Sequence, residues 1–152
     1  MADKVKFELV SPEKLLLSED VAMVVVPGGE GNFGVLPGHS LLISTVRPGI
    51  IDVYADDQRS VSQRIFVSGG FAEVTPERCT VLADEALPVG EIDRAATEAE
   101  VKEAESRHAG LKDQVARATG DDKSEALAQL RAAERRLAAA QAKLDALRTA
   151  AH

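Results

Sequence analysis

Near residue 90 the chain changes the rules by which its backbone can be built. All six prolines and all five aromatic residues lie before that point, and nine of the eleven glycines lie at or before Gly90. Val and Ile together number eighteen before it and three after it, whereas Glu91–His152 holds eighteen alanines. β-Branched side chains suit the pleated backbone of strands and alanine suits helices. One half must therefore be β-rich and the other helical. The joint falls at Leu87-Pro88-Val89-Gly90, giving a β domain over residues 1–88 and a helical domain over 89–152.

In the first half, short strand-like runs alternate with turn signals. Val5, Phe7 and Leu9 alternate with Lys4, Lys6 and Glu8, the period of a half-buried strand. Further strands are expected at Val21–Val26, Leu41–Val46, Gly49–Ala55, Ser60–Val67, Gly70–Val74 and Thr80–Ala83, with Asp56-Asp57-Gln58 as a hairpin tip. Many short, evenly spaced strands predict a sandwich or barrel. A domain of this size is small but can hold its own core.

The second half predicts two helices. The first should run from about Ile92 to Ala118 and stop at Thr119-Gly120. Asp122, with Glu125 three residues on, has the pattern of a capping box opening the second. There Leu130, Leu137 and Leu144 recur every seven residues, with Ala126, Ala133, Ala140 and Leu147 in the complementary positions of an a/d seam. The short connection makes the helices antiparallel neighbours. Alanines let the backbones approach but bury little area, so the hairpin should be only marginally stable by itself.

Charge and composition exclude several function classes. A net charge of −7 argues against nucleic acid as a partner, because phosphate binding needs a clustered basic surface. No apolar run approaches the ~20 residues of a membrane helix, and the start, Met1-Ala2-Asp3-Lys4, lacks the look of a secretory or organelle leader. Direct membrane insertion is not expected. The single cysteine, Cys79, lies in an apolar alternation and reads as a buried thiol rather than a nucleophile. Three scattered histidines and one cysteine offer no metal-ligand spacing. His39 and Ser40 are adjacent on extended chain, so their side chains diverge and cannot share a proton. Nothing in the sequence assembles a catalytic site.

Two features invite a binding role. Gly29-Glu30-Gly31-Asn32-Phe33-Gly34 has the GxGxxG spacing of a dinucleotide loop, follows a strand, and precedes Asp52 by eighteen residues. That motif needs a helix N-terminus at the pyrophosphate, and Pro37-Gly38 blocks a helix just where it must begin. A glycine-rich surface turn is the better reading. On the second helix, Arg131 and Arg135 fall opposite the apolar seam, with Arg136 and Lys143 on one flank. These four residues are either part of a solvated face or a basic stripe for an acidic partner.

The stretch Val26-Pro27-Gly28-Gly29-Glu30-Gly31-Asn32-Phe33-Gly34-Val35-Leu36-Pro37-Gly38-His39-Ser40 resembles the signature of the epsilon subunit of the rotary F-type ATP synthase. Phe7-Glu8-Leu9-Val10-Ser11-Pro12, Arg47-Pro48-Gly49, Ser68-Gly69-Gly70-Phe71-Ala72-Glu73-Val74 and Val81-Leu82-Ala83-Asp84-Glu85-Ala86 follow in that family's order. The resemblance implies a flattened β-sandwich of about ten strands followed by an antiparallel two-helix hairpin. It implies a non-catalytic place in the central stalk, bound to the gamma subunit and resting on the ring of c subunits, with transient contact between the hairpin and the alpha/beta catalytic head. Glu30, Gly31, Asn32 and His39 map onto the family's ring-contact loop; some members carry a carboxylate where this chain has Asn32. Arg131, Arg135, Arg136 and Lys143 would meet acidic loops of the head, and the hairpin would inhibit ATP hydrolysis in those members that use it so. The location implied is the cytoplasmic face of a bacterial inner membrane, on the peripheral side.

Some members bind ATP on the hairpin through an [IL]-D-x-x-R-A motif. Here Ile92-Asp93-Arg94-Ala95-Ala96-Thr97 keeps the first two residues but has Ala96 in place of the arginine. Losing one charge-assisted bond of roughly 1.5–3 kcal/mol makes weak or absent ATP binding the expectation, with no other cofactor. Two readings from other classes stand beside this one: a nucleotide-binding β domain, and a free-standing adaptor that uses the hairpin as a coiled coil.

Overall fold

The structure, a computed structural model, describes the backbone of residues 4–150 and the side chains of residues 4–149. The start at Met1-Ala2-Asp3 and the terminal His152 lie outside the described residues. Two compact units divide after Glu91.

The first unit consists of ten strands: β1 Val5–Val10, β2 Leu15–Val21, β3 Met23–Gly28, β4 Gly31–Val35, β5 Leu42–Val46, β6 Gly49–Tyr54, β7 Gln63–Val67, β8 Gly70–Val74, β9 Arg78–Ala83 and β10 Ala86–Pro88. They form one hydrogen-bonded path, β10-β7-β6-β3-β5-β8-β9-β1-β2, with β4 paired to β3. The path divides into two halves joined by a single pair, Gly28 with Val46. Inward residues of both halves, among them Phe7, Leu9, Val24, Val26, Ile51, Val53, Val74, Cys79 and Val81, merge into one buried cluster. This is the β-sandwich expected. Every pairing is antiparallel except β1 with β9, which run parallel, Lys6 opposite Arg78 through Val10 opposite Leu82. The sandwich unit runs on past residue 88 through a 3-10 turn, Val89–Glu91, in which Val89 is buried.

Several local expectations need correcting. The run Val21–Val26 is not one strand: a bend at Ala22 ends β2 and starts β3. β2 itself escapes the alternation rule because Leu15 and Leu16 are both exposed on this edge strand. Residues 29–34 are not simply a surface turn, since Gly31 already pairs with Gly28 and begins β4. Only Gly29-Glu30 turn, and β4 then shelters Val35 and half of Phe33.

The second unit is α1, Arg94–Arg117, and α2, Asp121–Ala150. Asp93 caps α1: its carboxylate accepts from the Ala96 N–H at 3.0 Å and satisfies one of the unpaired first-turn donors. No capping box opens α2. Asp122 lies inside the helix beside Asp121 in its first turn, where both acids still oppose the positive end of the helix dipole. Cross-pairs of Glu100 with Lys143 and of His108 with Glu134 show that the helices run antiparallel. At the seam, Ala126, Ala133 and Ala140 are buried against Val101, Ala104 and Leu111 of α1, whereas Leu130, Leu137, Leu144 and Leu147 are only half-buried. Alanines hold the centre and leucines the margins, which makes this a thin core.

Candidate functional site

Two surfaces of the sandwich and one of the hairpin are candidate sites. The first is the tip of the β3–β4 hairpin. Gly29 donates its N–H to Thr45 O at 2.9 Å, so the turn is held against β5. A Cβ added at Gly29 would lie 2.2 Å from Thr45 Oγ1, which is why the closest approach falls on a glycine. Gly31 takes φ +142°, a conformation rarely open to other residues. Glu30, Gly31 and Asn32 are all exposed on this tip.

His39 is on the connection between β4 and β5. Its N–H donates to Leu36 O at 3.1 Å, and its ring Nδ1 lies 2.6 Å from Ser40 O. The adjacent hydroxyl of Ser40 is not its partner. Residues 29–34 form a turn and a strand, and no helix N-terminus follows them, so the glycine motif builds no pyrophosphate cradle. Asp52 sits in the β6–β7 ladder, 3.5 Å from Arg64. Burial raises its carboxyl above the usual range, and the Arg64 charge only partly offsets that. Cys79 is fully buried and its thiol is pushed up to about 12 by desolvation, the opposite of an activated nucleophile. Among the described residues no group of three or more His, Cys, Asp and Glu could hold a metal ion, and no helix is long and apolar enough to cross a membrane.

The second surface was not read from the sequence. On the outer side of the half β5-β8-β9-β1-β2, the ladders put Thr45 beside Phe71, Phe71 beside Leu82, Leu82 beside Val10 and Val10 beside Leu15. Phe71, Leu82 and Leu15 are exposed, and Ile43 extends the same face along β5 at 78% exposure, with Leu41 just before the strand. Scattered apolar residues on a surface mean little, but here four apolar residues sit side by side on four neighbouring strands, with Ile43 beside them on β5. Its signal was present: Leu82 and Phe71 occupy the outward phase of strands whose inward phase is already apolar, Cys79-Val81-Ala83 and Ala72-Val74.

On α2, Arg131, Arg135 and Arg136 are exposed as expected. Arg136 shares with Arg107 of α1 a shallow cleft of about 130 Å³. Lys143 departs from the expected stripe. It is buried, and its Nζ reaches the Glu100 carboxylate at 3.2 Å. Small alanines along the seam leave room for its aliphatic stem, so it serves the helix–helix contact rather than an open surface. The N-cap role of Asp93 likewise commits the one acid kept from the ATP motif to its own helix.

Comparison with known proteins follows the same division. Residues 4–89 match the family described as ATP synthase, Delta/Epsilon chain, beta-sandwich domain. The chain is 56% identical over 148 residues to the ATP synthase epsilon chain of Rhodospirillum centenum, covering 95% of this chain and 92% of that one. It is 59% identical over 104 residues to the epsilon chain of Paramagnetospirillum magneticum, 68% of this chain and 77% of that one. In fold it resembles a chain of the Euglena gracilis mitochondrial ATP synthase, with a TM-score of 0.70 at 23% identity over 100% of this chain and 84% of that one.

Proposed function

The chain belongs to the epsilon-chain family of ATP synthases, and from that premise we propose that it is a non-catalytic subunit of the central stalk. In this reading it couples rotation of the membrane c-ring to ATP synthesis in the catalytic head, from the cytoplasmic side of a bacterial inner membrane. The observation that carries the reading is that one sandwich bears both an exposed apolar row and a braced polar tip. The apolar row Leu15–Val10–Leu82–Phe71 with Ile43 suits a permanent partner, for which the gamma subunit is proposed. The braced polar tip with Glu30, Gly31, Asn32 and His39 suits a polar contact on the c-ring. A body held firmly at one face and bearing on a second partner at another can transmit torque.

The hairpin is proposed as a regulatory arm. Its alanine-centred seam leaves a small packing surplus, so a competing contact can open it. Arg131, Arg135 and Arg136 would then meet acidic loops of the catalytic head; Lys143 is dropped from that set. ATP binding to the hairpin is proposed to be weak, since Ala96 supplies no cation and Asp93 is engaged as a cap.

The deciding experiment reconstitutes an ATP synthase lacking this chain with the full chain, with residues 1–91, or with neither. The full chain and the fragment should both restore ATP-driven proton pumping, and the fragment should leave hydrolysis faster than the full chain does. Failure of the fragment to assemble would make the hairpin a structural brace. ATP turnover by the purified chain, abolished by one point substitution, would end the non-catalytic reading.

A further inference from the structure

Arg47 leaves β5 at the one residue pair that joins the two halves of the sandwich, Gly28 with Val46. Its backbone N–H donates to Pro27 O at 2.8 Å. Its guanidinium donates through Nη1 to Gly28 O and through Nη2 to Asn32 Oδ1. One side chain therefore clasps the last residue of β3 and the second residue of β4, across the turn that separates them. A guanidinium has five donors and no acceptor, so Asn32 has to present its carbonyl oxygen to it. Asn32 is exposed, and its amide nitrogen has no hydrogen-bond partner among the described residues.

We propose that Arg47 is the positioning residue of this hairpin tip and that, by holding Asn32 Oδ1, it fixes the side chain so that the Asn32 amide NH2 serves as the hydrogen-bond donor toward an oxygen acceptor on the partner. The proposal rests on the reading of the tip as a docking surface. Three consequences follow from the geometry. The planar fork of Arg47 spans two acceptors through two separate nitrogens, a fixed geometry that the single nitrogen of a lysine does not reproduce. The tip is held rigid before its partner arrives, so little ordering cost remains to be met on binding. Arg47 takes one of the two lone pairs of Asn32 Oδ1 and neither amide N–H of Asn32 is engaged among the described residues, so the side chain offers a partner more donors than acceptors.

The test uses the full chain throughout. Backbone amide exchange at Gly29, whose N–H is bonded to Thr45 O, reports the rigidity of the tip. Affinity is read by titrating labelled chain onto proteoliposomes that carry the ATP synthase stripped of this subunit. Asn32→Asp retains an acceptor for Arg47 but deletes the donor; Gly29 exchange should stay within about twofold while affinity falls about tenfold. Arg47→Met should speed Gly29 exchange about tenfold and weaken binding, with the core amide of Val81 unchanged as proof of folding. Arg47→Lys should recover only part of the protection. A loss in Asn32→Asp that shrinks in high salt makes the acceptor a carboxylate and one that persists makes it a carbonyl; either supports the donor assignment.

Unchanged Gly29 exchange in Arg47→Met would overturn the positioning role, and wild-type affinity of Asn32→Asp would overturn the donor role. Glu30→Lys and His39→Glu serve as separate controls. If both of these also bind and pump normally, the docking reading of the tip falls, and Gly29 exchange still decides the role of Arg47.

Discussion

Replacing Phe71 and Leu82 together by Thr separates what holds the sandwich together from what holds it to its partner. Phe71 is 58% exposed and Leu82 49% exposed in the free chain. A phenylalanine offers roughly 200 Å² of side-chain surface, so the exposed share is about 115 Å², worth about 3 kcal/mol at ~25 cal/mol per Å². The exposed half of the leucine adds about 1 kcal/mol. Binding converts area to affinity incompletely, so docking should lose about 2–3 kcal/mol, or roughly 30- to 150-fold. Threonine keeps the β preference of both positions, and folding should lose only about 1 kcal/mol. By contrast, Phe7, fully buried on the inward face, should cost about 3–5 kcal/mol when cut to Ala. Calorimetric melting of the free chain gives the folding term, and titration onto a gamma-containing catalytic head gives the docking term. Docking within twofold of wild type would refute the row as the interface, and a folding loss equal to that of Phe7→Ala would refute its outward placement.

Three further outcomes follow from local geometry. Gly29→Ala should destabilise the sandwich by about 1–3 kcal/mol through overpacking on Thr45, and adding Thr45→Ala should recover most of it; a double-mutant cycle by chemical denaturation shows whether the two couple. Ala133→Leu should lower the stability of the hairpin by about 1–3 kcal/mol, read as loss of helical circular dichroism at lower temperature, because the centre of the seam has room only for a methyl group. Asp57 accepts the N–H groups of Arg59 and Ser60 at 2.9 Å each, and these hold its carboxyl below the usual range. Its support for the β6–β7 connection is therefore complete above the unfolded pKa and is lost as pH falls through the lower folded value; an NMR titration of its carboxyl carbon should give a midpoint below that of an unstructured peptide.

The division at residue 90 was legible because it rests on whole-segment composition, which no tertiary contact overrides. Strands with clean alternation, such as β1 and β9, were legible for the same kind of reason. What escaped depended on neighbours. Leu15 and Leu16 face outward together on an edge strand, so period two says nothing about them. Gly31 and Gly34 look like turn residues until Val24, Val25 and Val26 supply the partner strand. Lys143 has the polarity of a surface residue and the stem of an apolar one, and only the alanines beside it decide which governs. Arg47 stood in a recognisable Arg-Pro-Gly motif, yet its role exists only where β3 and β5 meet. The apolar row was hidden most deeply, since its members come from four strands scattered between Val10 and Leu82.

That scattering has a consequence for how the protein is made. The parallel contact of β1 with β9 joins the first strand of the domain to nearly its last, with Val10 opposite Leu82. During synthesis at about 5–20 residues per second, β1 and β2 wait several seconds before β9 clears the ribosome. Until then the left half of the row, Val10 with Leu15, and the right half, Phe71 with Leu82, are not neighbours. A chain that ends before β9 cannot display the whole row. The complete apolar row therefore comes into being only when the last long strand has closed the sheet.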